Sequence, residues 1–243
     1  MRSVEILGVR VDSLSMEECL EKVKQAVLSG ASIRIVTANP ELIYKAAADN
    51  KLRQLVNSAD LVVADGVGVL WAARQLGHGL PERVTGIDLV LRILEEANKH
   101  GWRIFLLGSK PGVAEKAVLN QQKKYSKIVF GCHHGYFTAE QQPLLLKRIE
   151  NFAPDILLVG MGAPKQEYWT AANGGLARVS IGVGGTFDVL AGLVKRAPVF
   201  VRNLKLEWLY RLLTQPSRLK RQAILPLYVA RVLQAKRRQK YSE

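Results

Sequence analysis

Short β-branched runs alternate with longer amphipathic stretches through most of the chain. Such alternation, with glycine and polar residues at the boundaries, is typical of βαβ units. The pattern therefore predicts an α/β fold with a mainly parallel sheet and helices on both faces. The predicted strands are Ile33–Thr37, Leu61–Asp65, Arg103–Leu107, Ile128–Gly131, Ile156–Gly160 and Val179–Val183.

The stretches between these strands have helical periodicity. Met16–Leu28 is the clearest of them, since Ser15 and Glu18 have the spacing of a capping box. The other predicted helices are Gly66–Leu76, Ile87–His100, Gly112–Tyr125, Ala139–Phe152 and Pro164–Ala172.

The pattern changes after residue 195. Two stretches, Val199–Leu213 and Ala223–Leu233, combine large apolar residues with Arg and Lys and predict two amphipathic helices joined at Pro216. We therefore expect an α/β catalytic domain over residues 1–195 and a basic helical appendage over residues 196–243.

The charge of the chain is concentrated in this appendage. The net charge is +14, from 35 Lys and Arg against 21 Asp and Glu. From Lys195 onward there are 13 basic and 2 acidic residues, so the preceding body is nearly neutral. A basic tail predicts an anionic partner: nucleic acid, an acidic membrane surface or a phosphorylated substrate.

Other features of the sequence predict a cytoplasmic protein. The first residues lack the apolar core of a secretory signal, and no apolar run approaches the roughly 18 residues of a membrane span. The two cysteines, Cys19 and Cys132, lie far apart and outside metal-binding spacing, which argues against disulfides.

Polar residues follow the first two predicted strands, where ligands bind in open α/β sheets. Asp65 precedes Gly66 and suits either a general base or a helix N-cap. Asn39 could orient a substrate hydroxyl, although Asn39-Pro40 also suits a simple turn. Arg83 lies in a loop, where it is either a diphosphate clamp or an ordinary surface arginine.

Several classes of site are disfavoured. The turn Gly108–Gly112 lacks the P-loop spacing, and no GxGxxG follows the first strand, which argues against NTPases and dinucleotide oxidoreductases. None of the seven aspartates forms an Asp-x-Asp pair, so a divalent metal is not expected at a diphosphate. His133 and His134 should point to opposite faces of a strand, which makes a shared metal ion improbable.

A set of sequence blocks resembles the bacterial WecG/TagA/CpsF glycosyltransferases, and most closely the TagA branch. The resemblance spans roughly residues 4 to 215, and its blocks are TANP at 37–40, ADGxG at 64–68, RVTGxD at 83–88, GxGxPKQE at 160–167, GVGGxFD at 182–188 and KRAP at 195–198. It implies a Rossmann-like domain that transfers N-acetylmannosamine from UDP-ManNAc to GlcNAc-diphospho-undecaprenol in wall teichoic acid synthesis. A β-1,4 linkage with inversion is implied, without a cofactor.

The resemblance also implies roles for individual residues. Asp65 would be the base, and Thr37, Asn39, Arg83 and Gln166 would line its cleft. The residues implied in UDP binding are Tyr136, Gly162, Gly184, Gly185 and Asp188. Appendage arginines that reach the substrates would be among Arg211, Arg218 and Arg221.

The resemblance implies a membrane-docking appendage, and hence a peripheral protein on the inner face of the membrane. Other donors, such as the uronic acid of ManNAc, stay open. A non-enzymatic protein with a nucleic-acid-binding tail is the main rival, but the tail's apolar residues exceed what phosphate contact requires, so nucleic acid is not the expected partner. Assembly into a homo-oligomer is also left open.

Overall fold

A computed structural model describes residues 2–204, 207–214 and 223–240. Six parallel strands form one sheet in the order β4-β3-β8-β7-β5-β6, and two further strands form an antiparallel hairpin, β1-β2. The strands are β1 Ser3–Ile6, β2 Val9–Asp12, β3 Ile33–Ala38, β4 Leu61–Ala64, β5 Arg103–Gly108, β6 Val129–His133, β7 Ile156–Gly160 and β8 Val179–Gly182.

Helices connect the strands and cover both faces of the sheet. In the body they are α1 Met16–Ser29, α2 Pro40–Ala48, α3 Asn50–Asn57, α4 Val67–Gln75, α5 Gly86–His100, α6 Val113–Gln122, α7 Gln142–Phe152, α8 Lys165–Asn173 and α9 Thr186–Leu190, with a 3₁₀ turn at Gly174–Leu176. After the body come α10 Val199–Asn203, α11 Glu207–Thr214 and α12 Ile224–Lys240. The predicted α/β class is confirmed.

Each predicted strand of the sheet is present, with ends that differ by at most two residues. The hairpin, α2 and α3 were not predicted. Asn39-Pro40 is the start of a helix rather than a simple turn, because the Asn39 side chain caps α2 and Pro40 occupies its first position.

Alternate side chains of the sheet point to opposite faces, and each face has its own apolar core. Ile35, Val63 and Leu106 pack with α1, α5, α6 and α9. On the other face, Val36 and Val62 pack with the hairpin and α2–α4. Further along that face Phe105 and Leu157 pack with α7 and α8. Burial of both faces explains why the strands are nearly continuous apolar runs.

The C-terminal helix α12 packs onto the body rather than standing apart from it. Tyr228 and Val232 are fully buried in the same cluster as α2 and α4, and the guanidinium of Arg231 lies 4.4 Å from the Tyr44 ring centroid. The predicted helix Val199–Leu213 is divided into α10 and α11, and α12 runs to Lys240, beyond its predicted end at Leu233. Pro216, the predicted joint, lies outside the described residues.

Candidate active site

A cleft of about 970 Å³ lies where β3, β4, β7 and β8 end. The strands are in register there, with Ala38 opposite Ala64, so the residues that follow them meet at one edge of the sheet. The predicted residues in its wall are Thr37, Asn39, Asp65, Arg83, Gly162, Gln166, Gly184 and Gly185. Residues distant in the chain thus converge on one site, as the strand-end rule predicts.

Asp65 follows β4 directly and lies in the wall of the cleft. Its backbone N–H donates to the Ala38 carbonyl at 2.8 Å, which fixes the residue beside the end of β3. The N-cap position of α4 falls on Gly66, whose φ of 108° suits glycine, and no side chain caps the helix there. The alternative interpretation of Asp65 as the N-cap is therefore wrong.

Thr37 and Asn39 use part of their polar capacity within the fold. The Thr37 hydroxyl donates to the Gly182 carbonyl at 2.7 Å and so joins β3 to β8. Asn39 Oδ1 accepts from the Leu42 N–H at 3.0 Å, which leaves its amide NH₂ as the group able to donate to a substrate.

Gln166 organises two of the glycine turns. Its Oε1 accepts from the N–H of Gly162 at 3.2 Å and from the N–H of Gly184 at 3.1 Å. A Cβ at Gly182 would lie 2.8 Å from Gln166 Nε2, so any larger residue there would displace the Gln166 amide. The backbone N–H groups of Gly162 and Gly184 were expected to bind phosphate, but they donate to Gln166 instead. The main role of Gln166 is therefore to hold these two turns together.

Glu167 in turn holds the Gln166 amide. Its Oε1 accepts from Gln166 Nε2 at 2.8 Å, and its Oε2 is buried with no hydrogen-bond partner among the described residues. Burial raises the pKa of this carboxyl, and the hydrogen bond from Gln166 offsets that effect only in part. The polar pair lies beneath the cleft as a support for the turns.

Arg83 reaches the cleft from the loop before α5. The backbone N–H of Val84 donates to the Ala64 carbonyl at 2.8 Å, so this loop runs beside the end of β4. Arg83 Nη1 lies 3.6 Å from the buried carboxylate of Glu207, on α11. The appendage therefore places a negative charge against the cleft arginine.

A second ion pair joins the body to the residues that follow it. Arg196 Nη2 contacts the Asp88 carboxylate, which also accepts from the Thr85 hydroxyl at 2.6 Å. Burial by itself raises the pKa of Asp88, but the hydrogen bonds from Thr85 and Arg196 and the positive charges of Arg196 and Arg83 lower it below its ordinary value. The pair secures the start of the appendage beside α5.

Other predicted site residues lie elsewhere. Tyr136 is 65% exposed and lies in the loop after β6, outside the cleft wall. The carbonyl of its neighbour Gly135 accepts from Lys165 Nζ at 3.1 Å, so this loop lies beside the start of α8. Asp188 lies in α9 outside the cleft wall. Arg211 lies in α11, but its side chain is not described, and Arg218 and Arg221 fall outside the described residues.

The expectation for the two histidines is wrong. Strand β6 ends at His133, so His134 does not continue the alternation. Their ring centroids lie 4.3 Å apart, and His133 Nδ1 is 2.8 Å from the His134 carbonyl. Within the described ranges, no three His, Cys, Asp or Glu side chains are grouped in a way that could hold a metal ion.

Several cleft residues were not predicted as site residues. They include Glu41, Leu70, Trp71, Arg74, Glu207, Trp208, Leu225, Tyr228 and Val229. For α4 the signal was present, because Leu70, Trp71 and Arg74 lie on the helix face that begins just after Asp65. For Glu207 no local signal exists, since its position depends on how the appendage packs.

Comparison with known proteins identifies the family of this chain. The model of the glycosyl transferase WecG/TagA/CpsF family matches residues 4–242. The chain belongs to this family. It is 40% identical over 239 residues to the N-acetylglucosaminyldiphosphoundecaprenol N-acetyl-beta-D-mannosaminyltransferases of Staphylococcus aureus strains MRSA252 and NCTC 8325 / PS 47, covering 97% of this chain and 94% of each relative. Membership of this family identifies the protein as a glycosyltransferase.

Proposed function

We propose that this glycosyltransferase moves N-acetylmannosamine from UDP-ManNAc to the C4 hydroxyl of the GlcNAc on undecaprenyl diphosphate, as in the linkage unit of wall teichoic acid. The observation that carries the proposal is the convergence of Thr37, Asn39, Asp65, Arg83 and Gln166 in one cleft. The names of the Staphylococcus aureus relatives support this acceptor and this transferred sugar.

Asp65 is the proposed general base. Its carboxylate takes the proton of the acceptor hydroxyl while that oxygen attacks C1 of the donor sugar. The bond from C1 to the UDP oxygen breaks in the same displacement, and UDP leaves with the electron pair. One displacement from the opposite face inverts C1, which gives the β-linkage. The Asn39 amide NH₂ would orient the acceptor, since only its Oδ1 is used to cap α2.

Positive charge and N–H groups would stabilise the leaving diphosphate. Arg83 lies in the cleft, and its planar guanidinium suits bidentate contact with phosphate oxygens. The N–H groups of Gly162 and Gly184 donate to Gln166, so these two glycines would act on the diphosphate through the shape of their turns. Gly185 also lies in the cleft wall. Because the sequence has no Asp-x-Asp pair, we propose catalysis without a divalent metal.

The appendage is proposed to hold the enzyme at the inner face of the membrane. None of the helices in the described ranges is both long and apolar enough to cross a bilayer. Exposed large apolar side chains are instead found on α10–α12, among them Phe200, Leu213 and Leu233. Together with the basic residues of this segment they suit interfacial binding to anionic lipid. Arg211, Arg218 and Arg221 remain the proposed appendage contacts to a diphosphate.

Product analysis tests the proposal. The full chain is incubated with UDP-ManNAc and a water-soluble GlcNAc-diphosphate-lipid, and the product mass is measured with and without excess EDTA. We expect the addition of one N-acetylhexosamine in both conditions, with a β-linkage by NMR. Transfer only from another UDP-sugar would overturn the donor assignment, and activity that needs added Mg²⁺ or Mn²⁺ would overturn the metal-free mechanism.

A further inference from the structure

We propose that the outer part of the cleft is a subsite for the polyisoprenyl phosphate end of the acceptor, in which Arg74 binds the phosphate and the apolar side chains of α4 and α12 receive the first isoprene units. The inference rests on the proposed function, because it gives a place to the lipid end of that acceptor. Nothing in the proposed chemistry at Asp65 requires these residues.

One face of α4 runs along the cleft from the proposed base outward. Its cleft residues are Val67, Gly68, Leu70, Trp71, Arg74 and Gln75. Apart from Gly68, these positions follow the i, i+3, i+4, i+7, i+8 spacing of a single helix face. At a rise of about 1.5 Å per residue, Arg74 lies roughly 10 Å beyond Val67 along the helix axis. An extended acceptor whose sugar is at Asp65 would thus place its phosphates along this face.

Charge pairing singles out Arg74. Arg83 in the cleft wall is paired with Glu207, and two basic residues just outside the wall are also paired, Lys45 with Glu41 and Arg196 with Asp88. The Arg74 side chain is exposed, and no carboxylate of the described ranges forms an ion pair with it. A solvated guanidinium at the cleft rim is suited to a phosphate ligand.

Apart from Gln75, the remaining side chains of α4 and α12 in the outer cleft are mostly apolar. Leu70 and Trp71 are half-buried on α4, and Leu225 and Val229 belong to α12. Trp208 of α11 is 43% exposed and Val229 is 38% exposed, so part of this apolar surface is open to solvent. A polyisoprenyl phosphate complements such a surface. Its hydrocarbon chain would bury apolar area against the wall, and its phosphate would pair with the guanidinium of Arg74.

Direct binding of farnesyl diphosphate tests the subsite without turnover. Trp71 and Trp208 line the cleft, so tryptophan fluorescence reports occupancy. We expect farnesyl diphosphate to bind the full chain at least about tenfold more tightly than inorganic pyrophosphate, since burial of several CH₂ groups contributes. Arg74→Gln should weaken farnesyl diphosphate binding about tenfold, the effect of one charge-assisted hydrogen bond, and Arg74→Lys should restore part of it.

Two exposed residues of α12 form a matched pair for the apolar wall. Val229 lines the cleft, whereas Leu227, on the same helix and 52% exposed, does not. Val229→Gln should weaken farnesyl diphosphate binding about threefold to tenfold by loss of apolar contact, with pyrophosphate binding unchanged. Leu227→Gln should leave both affinities as in the wild type.

The results that would overturn the subsite are distinct from those that would overturn the proposed function. Equal affinity for farnesyl diphosphate and pyrophosphate, or equal loss in Val229→Gln and Leu227→Gln, would show that the apolar wall does not bind the chain. A Val229→Gln variant with altered sedimentation and unaltered lipid binding would assign the wall to a second copy of the protein. Sugar transfer by a wild type that fails these binding tests would leave the proposed function standing and remove the subsite.

Discussion

Asp65 is the residue on which the proposed chemistry depends, because its carboxylate lies in the cleft at the start of α4. Asp65→Asn keeps the shape of the side chain and removes its basicity. We expect kcat to fall by about 100-fold or more, the range of general-base catalysis, in a sugar-transfer assay. The thermal unfolding midpoint should stay near that of the wild type. Near-normal turnover in this variant would show that another group takes the proton.

The Glu207 carboxylate lies 3.6 Å from Arg83 Nη1 and competes with a phosphate for that guanidinium. Glu207→Gln removes a negative charge from the cleft, and we expect UDP to bind about threefold to tenfold more tightly as electrostatic repulsion is relieved. Arg83→Gln should act in the opposite direction. Calorimetric titration with UDP measures both affinities. Weaker binding in both variants would mean that Glu207 positions Arg83 instead of competing for it.

The buried Glu167 carboxyl makes a pH-dependent contribution to stability. Burial raises its pKa in the folded state above the ordinary value of 4.5. The folded protein therefore binds this proton more tightly than the unfolded chain, and Glu167 loses stabilising effect as pH rises from 4.5 through the raised pKa. Because glutamine can still accept from Gln166, Glu167→Gln should gain stability relative to wild type over this interval.

Urea unfolding at a series of pH values measures that difference. Glu140→Gln is the matched control, since Glu140 is exposed, and its free energy of unfolding should follow the wild type throughout. A constant difference between Glu167→Gln and wild type from pH 4 to neutrality would contradict the raised pKa of Glu167.

At the scale of the element, α12 is held on the body by few buried side chains, of which Tyr228 and Val232 are the deepest. Tyr228→Ala removes an aromatic side chain whose loss from a core costs about 3–5 kcal/mol. We expect α12 to undock locally, with faster amide hydrogen exchange in 224–240 and unchanged protection in the parallel sheet. Leu227→Ala, at an exposed site on the same helix, should change neither. Loss of protection throughout the sheet would mean that α12 and the body unfold as one unit.

The parallel strands could be predicted because burial on both faces requires continuous apolar runs such as Ile156–Gly160. The hairpin escaped prediction because its two strands have only four residues each and meet at Leu7-Gly8, without a typical turn pair. Helix α2 escaped because Asn39-Pro40 suits a turn and a helix start equally well from sequence alone. Tertiary contacts decide between these readings.

The inner part of the site could be predicted for a similar reason. Parallel strands bring their carboxyl ends together, so Asn39 and Asp65 had to be neighbours once the strands were known. Glu207 and Val229 could not be placed, because they approach the cleft through packing of helices that follow the last strand. The hydrogen bonds from the N–H groups of Gly162 and Gly184 to Gln166 could not be predicted either, because they depend on the rotamer of the Gln166 side chain.

At the scale of the whole molecule, the uneven charge predicts selective binding to anionic membranes. From Lys195 onward the sequence carries 13 basic and 2 acidic residues, and α10–α12 expose large apolar side chains. We expect cosedimentation with anionic vesicles and little with neutral ones, at about 1 kcal/mol for each well-placed basic residue. Salt should release only part of the protein, since apolar burial persists when charges are screened.

Surface variants test this binding better than truncation, because removal of α12 would uncover α2 and α4. Phe200→Ser with Leu213→Ser should weaken vesicle binding. The matched control, Leu28→Ser with Leu144→Ser, changes equally exposed leucines of the body and should not. Equal binding to neutral and anionic vesicles would refute the electrostatic contribution, and a DNA shift as strong as vesicle binding would favour the nucleic-acid alternative.

The packing of α12 against α4 also affects how the protein is made. The Tyr228 hydroxyl donates to the Gly68 carbonyl across 160 residues of chain. At a synthesis rate of about 5–20 residues per second, α4 leaves the ribosome on the order of ten seconds or more before its partner helix. During that interval the apolar face of α4 is open to water and to chaperones, and the outer wall of the cleft does not yet exist. Strand β8, which lies between β3 and β7, is the last strand to be synthesised, so the sheet is completed late in translation and the closed substrate cleft later still.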